Sequence, residues 1–496
     1  MASGSEQNAP TAPAAPIGLE ALEARLRQDL EWLALPGKSW TPKTERDGVP
    51  VLDVAIIGGG QAGMAASVAL SHLGIPNVIY DQSPLDYEGP WATTARMETL
   101  RSPKTLTGPA LGFPALTFRA WFEAQFGLAA WDALDKIPRM QWMDYLRWFR
   151  RAMQLDIRNE HKVLAVLPRA DGVVELKLTS PQGESSVLAR RVVLATGRDG
   201  LGGAYVPPLA AQLPRARWAH SSDLLDYATL KGKRVGVVGG GSSAMDSAAT
   251  ALENGAARVD LLIRRTELPR VNKGKGSGNP GLVNGHQHLP DAWKWRIRHY
   301  VNAQQVPPPS GSTRRVSRFA NARFLLGTSI KGVAVNDGVL QFDTNRGRLD
   351  LDFLIFSTGF KVDWSVRPEY AAIAPHILTW RERYTPPAGD EDTELADSPY
   401  LGPVFEFQPR QAGAMPGLER VHCFCYPATA SHGTVSGDIP AISDGAYRLA
   451  QGIASLMYSE DVEYHYANIQ IYEEPELIGD EWTPAEWALP SGEPHR

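Results

Sequence analysis

One pattern occurs twice in this 496-residue chain, and it leaves few folds open. A short apolar run, Val51 to Ile57, enters Gly58-Gly59-Gly60-Gln61-Ala62-Gly63. Met64 to Leu73 then reads as a helix stopped by Gly74, and Val78 to Tyr80 is a second apolar run ending on Asp81. The same order returns 181 residues later. Arg234 to Val238 leads into Gly239-Gly240-Gly241-Ser242-Ser243-Ala244, then Met245 to Asn254 before Gly255, then Val259 to Ile263 ending on Arg264-Arg265. Strand, glycine turn, helix and strand make a β-α-β unit, with parallel strands and a helix laid over the sheet. The expected fold class is α/β, with two Rossmann-like units.

The turns carry a chemical expectation. A strand running into a helix N-terminus aims unpaired N–H groups and a partial positive charge at one point, where a pyrophosphate fits. Gly58 permits the tight turn, Gly60 lets the phosphate approach, and Gly63 lets helix and strand pack closely. Asp81 stands 18 residues after Gly63, where a carboxylate can accept bonds from a ribose diol, with Gln82 beside it. In the second unit Ala244 takes the last glycine position, and Arg264-Arg265 stand where the first has Asp81. An acid there repels a 2′-phosphate, whereas a guanidinium binds it through two N–H groups. The first unit is therefore expected to hold FAD through Gly58, Gly60, Gln61, Ala62, Gly63, Asp81 and Gln82. The second is expected to hold NADPH through Gly239, Gly241, Ser242, Ser243, Arg264 and Arg265.

Composition narrows the classes of partner. Lys and Arg total 50 against 55 Asp and Glu, a formal charge of −5, which argues against a globally basic nucleic-acid binder. Cys423 and Cys425 alone make neither a disulfide framework nor a four-ligand zinc site. No apolar run approaches the ~20 residues of a membrane span. The expected partner is a small-molecule substrate, with no nucleic acid, no membrane and no metal; a homo-oligomer stays open. Met1 to Pro16 reads as a tail without a leader peptide, so the expected location is cytoplasmic.

Other segments carry structural expectations. Gly18 to Leu35 has the spacing of an amphipathic helix, and Met140 to Met153 places Trp142, Tyr145, Leu146 and Phe149 on one helical face. Val173 to Thr179 and Val187 to Leu194 read as strands. Asn336-Asp337-Gly338 marks a hairpin, and Asp350 to Ser357 reads as one buried strand. Residues 270–320 interrupt the pattern as an insertion, with a helix at Asp291 to Asn302. Arg264 to Arg298 holds eight Lys and Arg against Glu267 and Asp291, an electropositive rim for NADPH or an anionic substrate. The acidic stretch after Arg448 reads as solvated surface.

Two such units in this order resemble the two-dinucleotide-binding flavoproteins. Within them the chain resembles the single-component flavin-dependent monooxygenases: the flavin-containing, N-hydroxylating and Baeyer–Villiger enzymes. Gly89-Pro90-Trp91, Ser102-Pro103-Lys104, Ala195-Thr196-Gly197, Ser357-Thr358-Gly359-Phe360 and His220-Ser221 carry the likeness over roughly residues 50–455. Pro214 and Ala216 stand where the linker motif has Phe and Gly, and Arg101-Ser102 where flavin-containing monooxygenases place an active-site Asn. The resemblance implies that Trp91 lies near the flavin, that the Val163 backbone reads the adenine, and that Asp438 lies near the flavin ring at the start of a helix from Ala441. It implies reduction of FAD by NADPH, a C4a-(hydro)peroxyflavin, and oxygen transfer to a nitrogen or sulfur compound. Oxygen insertion beside a ketone carbonyl, or an NADPH-dependent reductase without oxygenation, remains open. Arg101, Arg270 and Lys273 are the candidate catalytic or substrate-contacting side chains. The expected FAD domain spans 51–226 and 363–460 and the NADPH domain 227–362. A tail and accessory helix (1–50) precede them, and an acidic segment (461–496) follows.

Overall fold

The computed structural model describes residues 16–486, so most of the expected tail and residues 487–496 lie outside the described residues. An eight-stranded sheet holds the first unit. Its parallel part runs Ile157–Arg158, Asn77–Tyr80, Val49–Ile57 and Gly183–Leu194, with Val421–Cys423 joining the far end of Gly183–Leu194. Val174–Ser180 and Lys162–Pro168 extend it antiparallel. Helix Gln61–His72 is buried on nearly every side from Ala62 to Leu70, because it lies between this sheet and helix Ile442–Glu460. Small side chains suit a helix pressed from two directions, which explains its run of Ala, Gly and Ser. On the flank, helices Phe118–Ala133 and Arg139–Ala152 bury Trp121, Trp142, Tyr145 and Phe149, and the Tyr145 hydroxyl donates to the Leu116 carbonyl at 2.7 Å.

The second unit is a five-stranded parallel sheet in the order Ala322–Leu326, Arg258–Ile263, Arg234–Val238, Phe353–Phe356, Trp218–His220. Helix Ser242–Glu253 covers it with Ala244, Met245, Ala248 and Leu252. A three-stranded antiparallel sheet, Ile330–Asn336, Val339–Thr344 and Gly347–Leu351, stands beside it, with the expected turn at Asp337-Gly338. Both turn residues have positive φ, 49° and 74°, as the right-handed twist of a two-residue hairpin requires.

One sequence expectation is corrected. Asp350 to Ser357 is two strands, not one. Gly347–Leu351 ends the antiparallel sheet and Phe353–Phe356 enters the parallel one. Asp352 turns the chain between them, its carboxylate accepting from the Arg234 backbone N–H at 2.8 Å and from its guanidinium at 2.7 and 3.0 Å. Trp218–His220 pairs with Phe353–Phe356 in the second sheet. Residues 270–320 are mostly ordered helix, at Lys273–Gly276, Pro280–Gly285, Asp291–Gln304 and Ser310–Ser317. The accessory helix is Leu19–Trp32, anchored by Leu22 and Leu26, and residues 471–486 are exposed.

The two units meet through their strand exits. Gly202–Ala204, just after Ala195-Thr196-Gly197, pairs antiparallel with Phe360–Val362, just after Ser357-Thr358-Gly359. The carboxyl ends of both parallel sheets therefore open on one cleft, where ligands of α/β folds bind.

Candidate active site

Both glycine turns have the same anatomy. Gly58 has φ +106° and Gly239 φ +135°, and a methyl on either would lie 2.5 Å from a neighbouring strand's carbonyl oxygen, Ala195 and Ser357 respectively. Both positions therefore demand glycine for the backbone and for the neighbour. The middle glycines differ. A methyl on Gly60 would meet nothing nearer than the Gly89 Cα at 3.9 Å, and one on Gly241 would meet nothing within 4 Å. The chain leaves that space open at the N-termini of helices Gln61–His72 and Ser242–Glu253, neither of which has a side-chain cap. Buried polar atoms around the two cradles, Gln61 Oε1, Thr196 Oγ1 and Ser357 Oγ, lack protein partners. Open space, uncapped helix dipoles and unsatisfied polar atoms fit a dinucleotide pyrophosphate at each cradle.

Asp81 is only 7% exposed, and its carboxylate already accepts from the Gly59 N–H at 2.6 Å and the Ser83 N–H at 2.7 Å. It shapes the glycine loop, a role that spacing alone did not suggest. Each oxygen keeps a further lone pair for a ribose hydroxyl. Gln82 beside it is exposed. The Val163 side chain is buried in the core, and its strand is tied to the Asp81 end by His161 N–H donating to the Asp81 carbonyl at 2.9 Å. Trp91 follows Gly89 at the rim of the first cradle, edge-on to Trp142.

In the second unit Arg264 and Arg265 are exposed at the end of Arg258–Ile263, and Arg265 donates to the Ala303 carbonyl at 2.7 Å. Ser242 and Ser243 open the helix, which starts three residues before the expected Met245. Arg101 reaches across from the first unit, its guanidinium donating to Ser242 Oγ. It also faces Asp246 and Asp438. Arg315 holds the junction, with Glu253 at 2.7 Å, Glu98 at 3.3 Å and the Arg96 carbonyl at 3.2 Å. Arg270 and Lys273 are exposed and line neither cavity of the cleft.

Asp438 precedes helix Ile442–Glu460. Its side chain keeps exposed surface, yet the surrounding protein desolvates its carboxylate. Burial pushes its carboxyl up, against the pull of Arg298, Arg198 and Arg101. The insertion closes one side of this region. Arg448 donates to the Val283 carbonyl at 2.6 Å, and His286 Nε2 donates to the Ala430 carbonyl at 3.3 Å. Burial lowers the His286 pKa to about 4, so the ring stays neutral near pH 7. Sequence reasoning did not single out Arg198, Tyr426 or Arg298 for the cleft. Arg198 directly follows the first strand exit, which was a signal in plain view; Arg298 carried none beyond its place in a basic insertion.

Among the described residues, no helix is long and apolar enough to cross a membrane, and no cluster of three or more His, Cys, Asp or Glu could hold a metal ion. Cys423 and Cys425 are buried, with their sulfurs 3.5 Å apart.

A family profile described as L-lysine 6-monooxygenase/L-ornithine 5-monooxygenase matches residues 130–276, and one described as FAD-NAD(P)-binding matches residues 55–199. The FAD-dependent urate hydroxylase of Xanthomonas campestris is 39% identical over 466 residues, 93% of this chain and 98% of that protein. The ornithine hydroxylase of Pseudomonas aeruginosa superposes with a TM-score of 0.64 at 17% identity, over 82% of this chain and 99% of that one. The ornithine N-hydroxylase of Kutzneria sp. 744 superposes with a TM-score of 0.63 at 17% identity, over 82% and 100%. These structures share the two-unit fold. The chain belongs to the FAD-dependent monooxygenase family that includes the Xanthomonas urate hydroxylase, and is an oxidoreductase working with FAD and a nicotinamide dinucleotide.

Proposed function

We propose that the protein is an NADPH-dependent FAD monooxygenase that oxygenates a small nitrogen-containing molecule, with urate as the first candidate. One observation carries the two-cofactor reading: two open glycine cradles, on separate sheets, face one cleft and are joined by Arg101 reaching Ser242. Urate enters because the relative named for it matches nearly the whole chain.

FAD, when bound, supplies the redox and oxygen-activating chemistry. The chain's own residues bind, orient and seclude. Gln61, Ala62 and Gly63 present N–H groups to the FAD pyrophosphate, while Asp81 fixes the loop and accepts from the ribose. Ser242 and Ser243 do the same for NADPH, and Arg264 and Arg265 select its 2′-phosphate. Arg101 sets the spacing between the cradles. The His286 and Arg448 contacts keep the insertion against residues 430–448, which limits water at the reacting face. We place the FAD domain before the Gly202–Ala204 crossing and again after Phe360–Val362, with the NADPH domain between. The enzyme works in the cytoplasm on this reading, where NADPH is supplied.

The test is NADPH and O2 consumption by purified holoprotein offered urate, ornithine, lysine and a ketone. Urate is expected to accelerate both equally, with little hydrogen peroxide. Rapid dye reduction by NADPH with no oxygenated product from any compound refutes the monooxygenase reading.

A further inference from the structure

We infer that Arg198 and Arg298 form the anion-recognising wall of the substrate cleft and select a planar, oxygen-rich anionic heterocycle of the urate type. The inference rests on the monooxygenase reading and assigns residues to its substrate.

Two adjoining open clefts lie between the strand exits and the segment around Tyr426. Arg198 lines one and Arg298 the other, while Tyr426 and Glu394 line both. The Arg198 guanidinium lies over the Tyr426 ring, 4.4 Å from its centroid, and 5.9 Å from that of Phe360. A guanidinium over an aromatic face can keep its N–H groups free for an anion. Arg298 comes from helix Asp291–Gln304 of the insertion, and its Nε is buried with no acceptor.

Two other charges of this wall are matched, while Glu394, which lines both clefts, has no cation within 4.0 Å among the described residues. Asp199 pairs with Arg367 at 3.1 Å, and Lys361 with Asp363 at 2.7 Å. Among the described residues neither Arg198 nor Arg298 has a carboxylate within 4.0 Å, although both act on Asp438 across the cleft. Two guanidiniums without close counter-ions, one with a buried unsatisfied donor, are poised for an anion that brings several acceptors. Urate is a monoanion at neutral pH, flat, with carbonyl oxygens on its edges for guanidinium N–H groups. Its ring N–H groups would find an acceptor in Glu394, which lines both clefts. The insertion thereby supplies Arg298 to a site whose other half lies a hundred residues earlier.

The experiment is titration of the oxidised holoenzyme with urate, and with orotate as a second planar anion, followed by flavin difference spectra and steady-state kinetics. R198Q and R298Q are expected to raise the urate Kd and KM by about 10–100-fold, the loss of one or two charge-assisted hydrogen bonds, with flavin content and NADPH KM unchanged. R198K, which keeps charge but not the flat stacking, should fall between. The inference is overturned if both glutamine variants keep wild-type affinity for whichever anion perturbs the flavin. It is also overturned if the variants lose FAD instead of substrate affinity, or if wild type responds only to cationic or neutral compounds. A wild type that binds orotate but not urate, through these arginines, overturns the urate assignment and supports the wall.

Discussion

Replacing Gly60 by Ala separates folding from cofactor binding. Gly60 has φ −71° and ψ −178°, an extended conformation open to any residue, and its new methyl would have 3.9 Å of clearance from the nearest atom. The apoprotein should therefore lose nothing, or gain about 0.4–1 kcal/mol from a stiffer unfolded chain. The methyl does, however, occupy the space left for the pyrophosphate. Holding the phosphates off by about 1 Å would break two charge-assisted N–H bonds, worth roughly 1.5–3 kcal/mol each. FAD should bind about 10²–10⁴-fold more weakly. Gly58→Ala is the contrast. A side chain at φ +106°, 2.5 Å from the Ala195 carbonyl oxygen, combines backbone strain with overlap, about 2–5 kcal/mol of lost stability. The assay strips flavin from each protein, titrates FAD by fluorescence quenching, and follows thermal unfolding of the apoproteins. The reasoning fails if G60A binds FAD within threefold of wild type, or if its apoprotein is as destabilised as that of G58A.

The double variant R264A/R265A should raise the KM for NADPH about 10–100-fold and leave NADH unchanged; equal losses with both cofactors would show that the pair does not read the 2′-phosphate. Arg101→Met should slow flavin reduction by NADPH about 10-fold in anaerobic stopped-flow while FAD content stays full, because it removes the Ser242 bridge between the cradles; an unchanged rate refutes that role. Stability should fall with acid between pH 6.5 and about 4. Burial lowers the pKa to about 4 for His72 and His286 and to about 3 for His422 and His432, so the fold keeps them neutral while the unfolded chain protonates. Each contributes stability that is present above pH 6.5 and is lost as pH falls, at up to roughly 1.4 kcal/mol per pH unit. A urea midpoint that holds or rises from pH 7.5 to 5 contradicts this.

The parts legible in the sequence are those whose signal is local. Glycine turns, the helices behind them and the Asp337-Gly338 hairpin each state their geometry within about ten residues. Asp350 to Ser357 misled because one apolar run serves two sheets, and only Arg234, 118 residues away, turns it at Asp352. Asp81 stands out by its spacing, yet its bond to the Gly59 N–H depends on how the loop returns over the strand end. The substrate wall was least visible. Arg198 and Arg298 gain meaning only when Tyr426 and the insertion helix meet at one cleft, and no periodicity encodes that meeting.

Anaerobic mixing of the yellow holoenzyme with NADPH, read at the flavin absorbance band, tests the coupling of the two cradles most directly. Bleaching is expected with NADPH, far slower with NADH, followed on admission of O2 and urate by return of colour with one oxygenated product per NADPH. Protein that carries no flavin after reconstitution, or flavin that NADPH leaves oxidised, would contradict a single relay across this cleft.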